Sequence, residues 1–321
     1  MHQRNSVPFR SHILTNIQKR VLSISEVLYT YYSTRNTLTR IHQKSADLRH
    51  VVQTALERNR KKYDLQSKQL KGTEKRDKYK VYGELINTYG YNLEPGSKEL
   101  TALNYYTNEE ITIPLDPTQT PGENAQRYFA KYNKQKRTFE ALTELIQETA
   151  DDIQYLESIS NALDIALNEA DLAQIKEELM QSGYIRRKHT KKKVKLTSKP
   201  MHYISSDGYD MYVGKNNLQN EELTFSFANG NDWWFHAKGA PGSHVIVKSG
   251  GDELPDRTFE EAGRLAAYYS KNRGADKVEI DYIQKKHVKK PNGAKPGFVV
   301  YYTNYSLVID SDISNIKNVQ D

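Results

Sequence analysis

Two stretches of heptad-spaced apolar residues, separated by a segment of different character, limit what this chain can fold into. From Ser33 to Lys71 there is no Pro or Gly, and Leu38, Ile41, Ser45, Leu48, Val52 and Ala55 follow the 3,4 spacing of a coiled-coil seam. Leu56, Tyr63 and Leu70 continue it at intervals of seven. That predicts one helix ~58 Å long, at 1.5 Å per residue. A second helix is predicted from Gly122-Glu123 to Leu163, with Phe139, Leu142, Ile146, Thr149, Ile153, Leu156, Ser160 and Leu163 in the same spacing. Each helix has a single apolar stripe and needs a partner. The simplest partner is the other helix, folded back antiparallel in a monomer. A parallel homodimer would trap the intervening segment between its strands and ranks second.

The intervening segment, 77–121, carries Tyr79, Tyr82, Tyr89, Tyr91, Tyr105 and Tyr106, the turn Glu94-Pro95-Gly96-Ser97 and the alternation Ile111-Thr112-Ile113. It is expected to be a small β-containing tip. Its tyrosines are read first as that unit's core and second as a contact surface. A short amphipathic helix, Asp171 to Gln181, should follow the hairpin and end at Gly183.

Beyond it the composition changes. Residues 184–321 hold 22 basic and 16 acidic groups, so almost the whole net charge of +7 lies in this part. A neutral arm joined to a basic head points to a polyanion as the head's partner. The run from Arg186 to Lys195, with Lys191, Lys192 and Lys193 at its centre, is either a solvated linker or a polyanion contact. From Lys199 strands and turns alternate with two helices, one capped by Asn216/Asn217 and one by Thr258. Strands are expected at 277–283, 298–303 and 306–310. The expected division is a remnant at 1–32 (1–22 without clear pattern), a coiled-coil hairpin at 33–183, a linker at 184–198, a mixed α+β domain at 199–312 and a tail at 313–321.

Several classes are excluded. The chain has no cysteine, hence no disulfide, thiolate metal site or cysteine nucleophile. No apolar run approaches the ~18 residues of a membrane span, and Met1 to Ser11 lacks a signal-peptide core, so a cytoplasmic protein without membrane insertion is expected.

The most unusual string runs from Asn231 to Val247 and contains Asp232-Trp233-Trp234-Phe235-His236-Ala237-Lys238-Gly239-Ala240-Pro241-Gly242-Ser243-His244. Gly239, Pro241 and Gly242 allow a tight turn whose backbone amides could meet an anion, with His236, Lys238, Ser243 and His244 as further donors. We expect this turn at the surface as a binding element. The aromatic residues before it are read mostly as core. A four-residue loop would pair Lys238 with Ser243 and put His236 and His244 on opposite faces of the sheet. That register opposes a shared metal, and a Ser243/His244 nucleophile is rejected for want of an elbow motif. No cofactor is expected and the chain is read as non-catalytic. A second cluster, Lys285, Lys286, Lys289, Lys290 and Lys295 on a Pro/Gly-rich loop, is either solubilising or an electrostatic clamp on phosphates.

These strings together resemble one family. The segment 231–247 is similar to a DxWFHxxxxPGSHV motif of the NFACT-R domain. Val213-Gly214-Lys215-Asn216-Asn217, Ala266-Ala267-Tyr268-Tyr269-Ser270 and 287–297 match in order. Glu57 to Lys62, Gly122 to Phe129 and Tyr132-Asn133-Lys134 look like the coiled-coil middle region of NFACT proteins. The resemblance covers about 23–312. The family's N-terminal domain and helix-hairpin-helix region find no counterpart, so the chain resembles a C-terminal part. What it implies is a ribosome-associated quality control role: binding the large ribosomal subunit, rRNA and tRNA, and supporting alanine addition. Streptococcal members are also named fibronectin/fibrinogen-binding proteins, which implies a second reading as a cell-surface adhesin.

Overall fold

The computed structural model describes residues 36, 39–186 and 198–319. Residues 39–44 are helical and lead, after a break at Ser45, into α1 (Ala46–Gly72). The chain turns at 73–75, and a further helix, α2 (Arg76–Tyr89), continues up the arm. This corrects the expected start of the tip. Tyr79, Tyr82, Leu85, Ile86 and Tyr89 recur every three or four residues, so they form a helical face, and the tip proper occupies 90–120. Within it, β1 (Glu99–Asn104) and β2 (Glu109–Pro114) form a hairpin with Leu100 opposite Ile113. Leu100, Ala102 and Ile113 pack on Leu85, Ile86, Ala125 and Tyr128, so the tip has a core of its own. Tyr105, Tyr106 and Tyr91 point out to solvent instead.

The return helix α3 (Pro121–Ile165) has 45 residues, which makes it ~68 Å long. Its start is fixed by sequence: Pro121 sits at the first position, and Thr120 and Glu123 form a reciprocal capping box. Asn124 is buried, accepting from Asp116 N at 2.8 Å and donating to Asp116 O at 3.0 Å, which fastens the tip to the helix. Gly83 lets the arms approach closely where they meet, because a Cβ there would lie 2.8 Å from the Phe129 ring and push it aside.

Along the arm, Leu48, Val52 and Leu56 bury against Leu156, Ile159 and Leu163. The seam does not continue through Tyr63, which is exposed. Beyond Leu56 the buried positions are Gln66 and Thr73, because a 3.6-residue helix drifts off a strict heptad. Thr149 Oγ1 donates to Gln66 Oε1 at 3.0 Å, which puts a polar pair inside the seam. At the base, α4 (Glu169–Gln181) folds back under an Asn168–Asp171 capping box, and Leu172, Ile175 and Leu179 complete a three-helix core.

The head is one antiparallel sheet in the order β8-β7-β5-β6-β4-β3-β9. Its strands are β3 (Met201–Ile204), β4 (Asp210–Val213), β5 (Trp233–Ala237), β6 (Val245–Val247), β7 (Val278–Gln284), β8 (Tyr305–Ile309) and β9 (Lys317–Asn318). One face packs on α6 (Asp256–Tyr268) through Phe235, Val245, Val247, Ala262, Leu265 and Ala266. Thr258 is not this helix's cap: it is buried in the first turn, donating to Asp207 Oδ2 at 2.8 Å, and Pro255 precedes the helix. The other face carries Trp234, Ile246 and Ile283. It is covered by α5 (Asn217–Glu222), by a π-helical turn (Leu223–Phe227) and by the segment from Lys285 to Tyr301. The strand expected at 298–303 is reduced to a single bridge between Lys289 and Val300, and Thr303 with φ 56° ends the extended run.

Candidate nucleic-acid interface

The strand pairing decides where the strongest motif points. Trp234 lies opposite Ile246 and Phe235 opposite Val245. This register is one residue away from the expected four-residue loop, and a one-residue shift flips every side chain. His236 and His244 therefore share a face, their ring centroids 5.5 Å apart. His244 is buried, with Nδ1 2.8 Å from Thr224 Oγ1, and its backbone N–H donates to Asn220 Oδ1 at 3.0 Å. Ser243 is buried as well, its N–H donating to Tyr269 O at 3.1 Å. Gly242 bridges to Ser270, and a Cβ on it would come 3.0 Å from Ser270 Cβ. The expected surface turn is thus turned inward. A glycine backbone with no side chain seats closely against the end of α6, and that approach takes Ser243 and His244 in with it.

The two histidines stay neutral. Burial, only partly opposed by the Asp281 carboxylate, brings His236 down to about 4. Burial and its neighbour His236 hold His244 well below the ordinary value. The backbones of Gly242 and Gly297 hydrogen-bond to these rings, so each imidazole pins a loop. Across the sheet, Asp281 accepts from Tyr301 at 2.9 Å and from Ser306 at 2.7 Å, closing a polar row. A cavity of ≈ 150 Å³ lies beside His236 and His244, between the head and Gln154 and Ser158 of the arm. No group of three or more metal-ligating side chains occurs among the described residues.

The motif Val213-Gly214-Lys215-Asn216-Asn217 joins head to arm. Lys215 and Asp171 form a buried ion pair at 2.6 Å. Asn216 Nδ2 and Gln219 Nε2 both donate to Gln174 Oε1 at 2.8 Å, and Asn217 Nδ2 reaches Ser158 Oγ and Glu178 Oε1 at 2.8 Å. Burial pushes the Glu178 carboxyl up to about 7. Asn216 is the expected cap of α5, its Oδ1 accepting from Gln219 N–H at 3.0 Å, whereas the pairing of Lys215 was not expected. A lysine flanked by Gly and two Asn after an apolar strand was the available signal that its side chain would be buried and paired.

The predicted cations divide. Lys295 is ion-paired to Asp152 of the arm and lies 4.7 Å from the Tyr155 ring centroid, so it staples the joint. Lys290 pairs with Glu221 at 2.8 Å and Lys238 with Glu279 at 2.5 Å. Lys285, Lys286 and Lys289 have no acidic partner among the described residues, and Lys286 and Lys289 are exposed. The lysine loop is not simply solvated: Phe298 packs on the arm core, and Gly297 donates to Glu221 Oε2 at 3.3 Å. Lys191, Lys192 and Lys193 lie outside the described residues.

The molecule is thus an antiparallel arm with a folded tip, joined to a basic antiparallel head. Residues 3–198 match the model of the NFACT N-terminal and middle domains, and residues 199–302 that of the NFACT protein RNA binding domain. The chain belongs to the NFACT family. The match takes in residues 3–22, which read as patternless in the sequence. The chain is 40% identical over 299 residues to the Rqc2 homolog RqcH of Streptococcus pneumoniae strain R6, covering 93% of this chain and 54% of that protein. It is 38% identical over 305 residues to the Rqc2 homolog RqcH of Bacillus subtilis, covering 93% and 53%. The chain thus spans about half the length of the curated relatives it matches. The solved C-terminal part of the fibronectin/fibrinogen-binding protein of Streptococcus suis superposes with a TM-score of 0.68 at 37% identity, over 87% of this chain and 99% of that one. No described helix is long and apolar enough to cross a membrane.

Proposed function

We propose that this chain is the arm and the RNA-contacting head of a ribosome-associated quality control factor. In the whole protein it acts on a large subunit stalled with peptidyl-tRNA, in the cytoplasm, and supports alanine addition through tRNA. The observation that carries this reading is a coincidence of position. The match to the RNA binding domain falls in the basic half of the chain, where Lys285, Lys286 and Lys289 have no acidic partner among the described residues. The head works without catalysis in this reading, because His236 and His244 are neutral and hold backbone. The arm works as a rigid monomeric spacer that fixes the distance between tip and head.

Co-sedimentation of the chain with large ribosomal subunits over a salt series tests it. Binding should fall steeply with salt. Replacing Lys285, Lys286 and Lys289 by Glu should flatten the log–log slope by about three units, at ~0.9 per phosphate contact. The same replacement at Lys191, Lys192 and Lys193 should act alike if the linker joins the contact. A slope that neither set changes removes the lysines from the interface. The likeness to the Streptococcus suis protein over almost its whole solved chain supports a second reading, binding of fibronectin or fibrinogen at the cell surface. Capture of soluble fibronectin that persists at high salt, with no subunit binding, would favour it.

A further inference from the structure

The signature motif faces inward and leaves the head's other faces to offer a binding surface. At the π-helical turn Leu223–Phe227 the backbone departs from the α-helical pattern of α5. Such turns concentrate at functional sites. It buries Leu223 and Thr224 and leaves Phe227 exposed, with Phe225 half-buried at the rim. Each of the two rings has a lysine ammonium above it. Lys248 Nζ lies 4.9 Å from the Phe227 centroid and Lys285 Nζ lies 5.8 Å from that of Phe225. The aromatic surface extends across the sheet from Phe227. Tyr212 meets Phe227 edge-on at 4.7 Å, and His202 stacks on Tyr212 at 4.5 Å with only 3° between the planes. Lys286, next to Lys285, anchors the adjoining loop through its N–H to Gly230 O at 3.0 Å and leaves its side chain in solvent.

We propose that this rim, Phe225, Phe227 and Tyr212 with Lys285 and Lys286, binds single-stranded RNA by stacking unpaired bases on the open faces of the rings while Lys285 and Lys286 hold the phosphates. The inference rests on the RNA-binding reading above and deepens it from a charge contact to a strand-selective site. Rings interleaved with cations suit unpaired bases, because a base offers a π-face only when it is not stacked within a duplex. Lysines alone would bind a duplex equally well. Excess positive charge on the head matches the ligand, and the Lys248–Asp232 pair keeps an ammonium against one face of Phe227, which fixes the ring's orientation.

The test measures affinity for a 12-nucleotide oligouridine and for an RNA duplex of the same total charge. The proteins are the wild type, a Phe225→Leu, Phe227→Leu variant and a Lys285→Gln, Lys286→Gln variant. Leucine keeps apolar volume over the core and removes the rings, and a thermal melt confirms that the variant is folded. Expected are a loss of about tenfold or more for oligouridine in the leucine variant with duplex binding unchanged, and a loss for both RNAs in the glutamine variant. Equal losses for the two RNAs, or none, in the folded leucine variant overturn the stacking site and leave the charge contact standing. A wild-type chain that binds neither RNA overturns both readings. If the leucine variant does not fold, Phe227→Leu alone, at the exposed ring, must show the selective loss or the site is overturned.

Discussion

The arm and the head bury their side chains by different rules. In the arm, period decides: Leu48, Val52, Leu56, Leu156 and Leu163 are inside because a helix brings every third or fourth residue to one face. Its ion pairs, such as Arg60 with Glu157 at 2.6 Å, lie on the outside. In the head and its joint, loops decide. Polar residues that look like surface equipment, among them Ser243, His244 and Lys215, are drawn inside with partners supplied by distant segments. The arm is therefore built from interchangeable contacts, and the joint from contacts that fail singly.

Lys215→Met gives the sharpest contrast. It leaves the buried Asp171 carboxylate without its cation, at a cost of roughly 3–5 kcal/mol. Removing the exposed partner in the arm, Arg60→Ala, should cost under about 1 kcal/mol. Denaturant midpoints of the two variants measure the difference. Equal midpoints would mean that the joint is no more demanding than the arm surface.

The pH dependence separates the two regions further. Glu178 has a folded value raised to about 7, so the folded chain holds its proton more tightly than the unfolded chain. The associated stability is fully present below about pH 4.5 and declines as pH rises to about 7, by ~3 kcal/mol. His236 is lowered to about 4, so its effect has the opposite sign: stability is lost as pH falls from about 6.5 to 4. Glu178→Gln should match wild type near pH 4.5 and exceed it at pH 8, whereas Arg60→Ala should follow the wild-type profile throughout. A Glu178→Gln curve parallel to wild type at every pH would show that this carboxyl is not desolvated.

The same contrast explains what the sequence made legible. The hairpin, the limits of α3 and the short α4 follow from periodicity and caps at Thr120, Pro121 and Asn168, which act within a few residues. The helical part of the expected tip was obscured because Tyr79, Tyr82 and Tyr89 favour strands as single residues while their spacing is helical. In the head, one residue of register placed His236 and His244 on the wrong faces, and register depends on a loop length that local sequence does not set. Which lysines are free depended on acids far along the chain: Lys295 meets Asp152 and Lys290 meets Glu221. The rim positions of Phe225 and Phe227 are not legible in the sequence because a π-turn has no sequence period.

The smallest predicted effect lies where the arm breaks its own rule. Gln66 and Thr149 are buried and paired across the seam, in positions where leucine would bury more apolar area. A polar pair in a coiled-coil seam disfavours other registers, since slipping the helices would leave both groups unsatisfied in an apolar setting. Thr149→Val removes the donor and strands the Gln66 amide, so it should lower stability by about 1–2 kcal/mol. The double variant Gln66→Leu, Thr149→Val removes both polar groups and should recover that loss or exceed wild type. Its two helices should then slip more readily. Cysteines introduced at facing exposed positions report the slip, because the chain has none of its own and cross-linking at off-register pairs would rise only in the double variant. If the double variant stays as strictly in register as wild type, the capped tip at Thr120 and Asn124 sets the register alone, and the polar pair is no more than a tolerated defect in the seam.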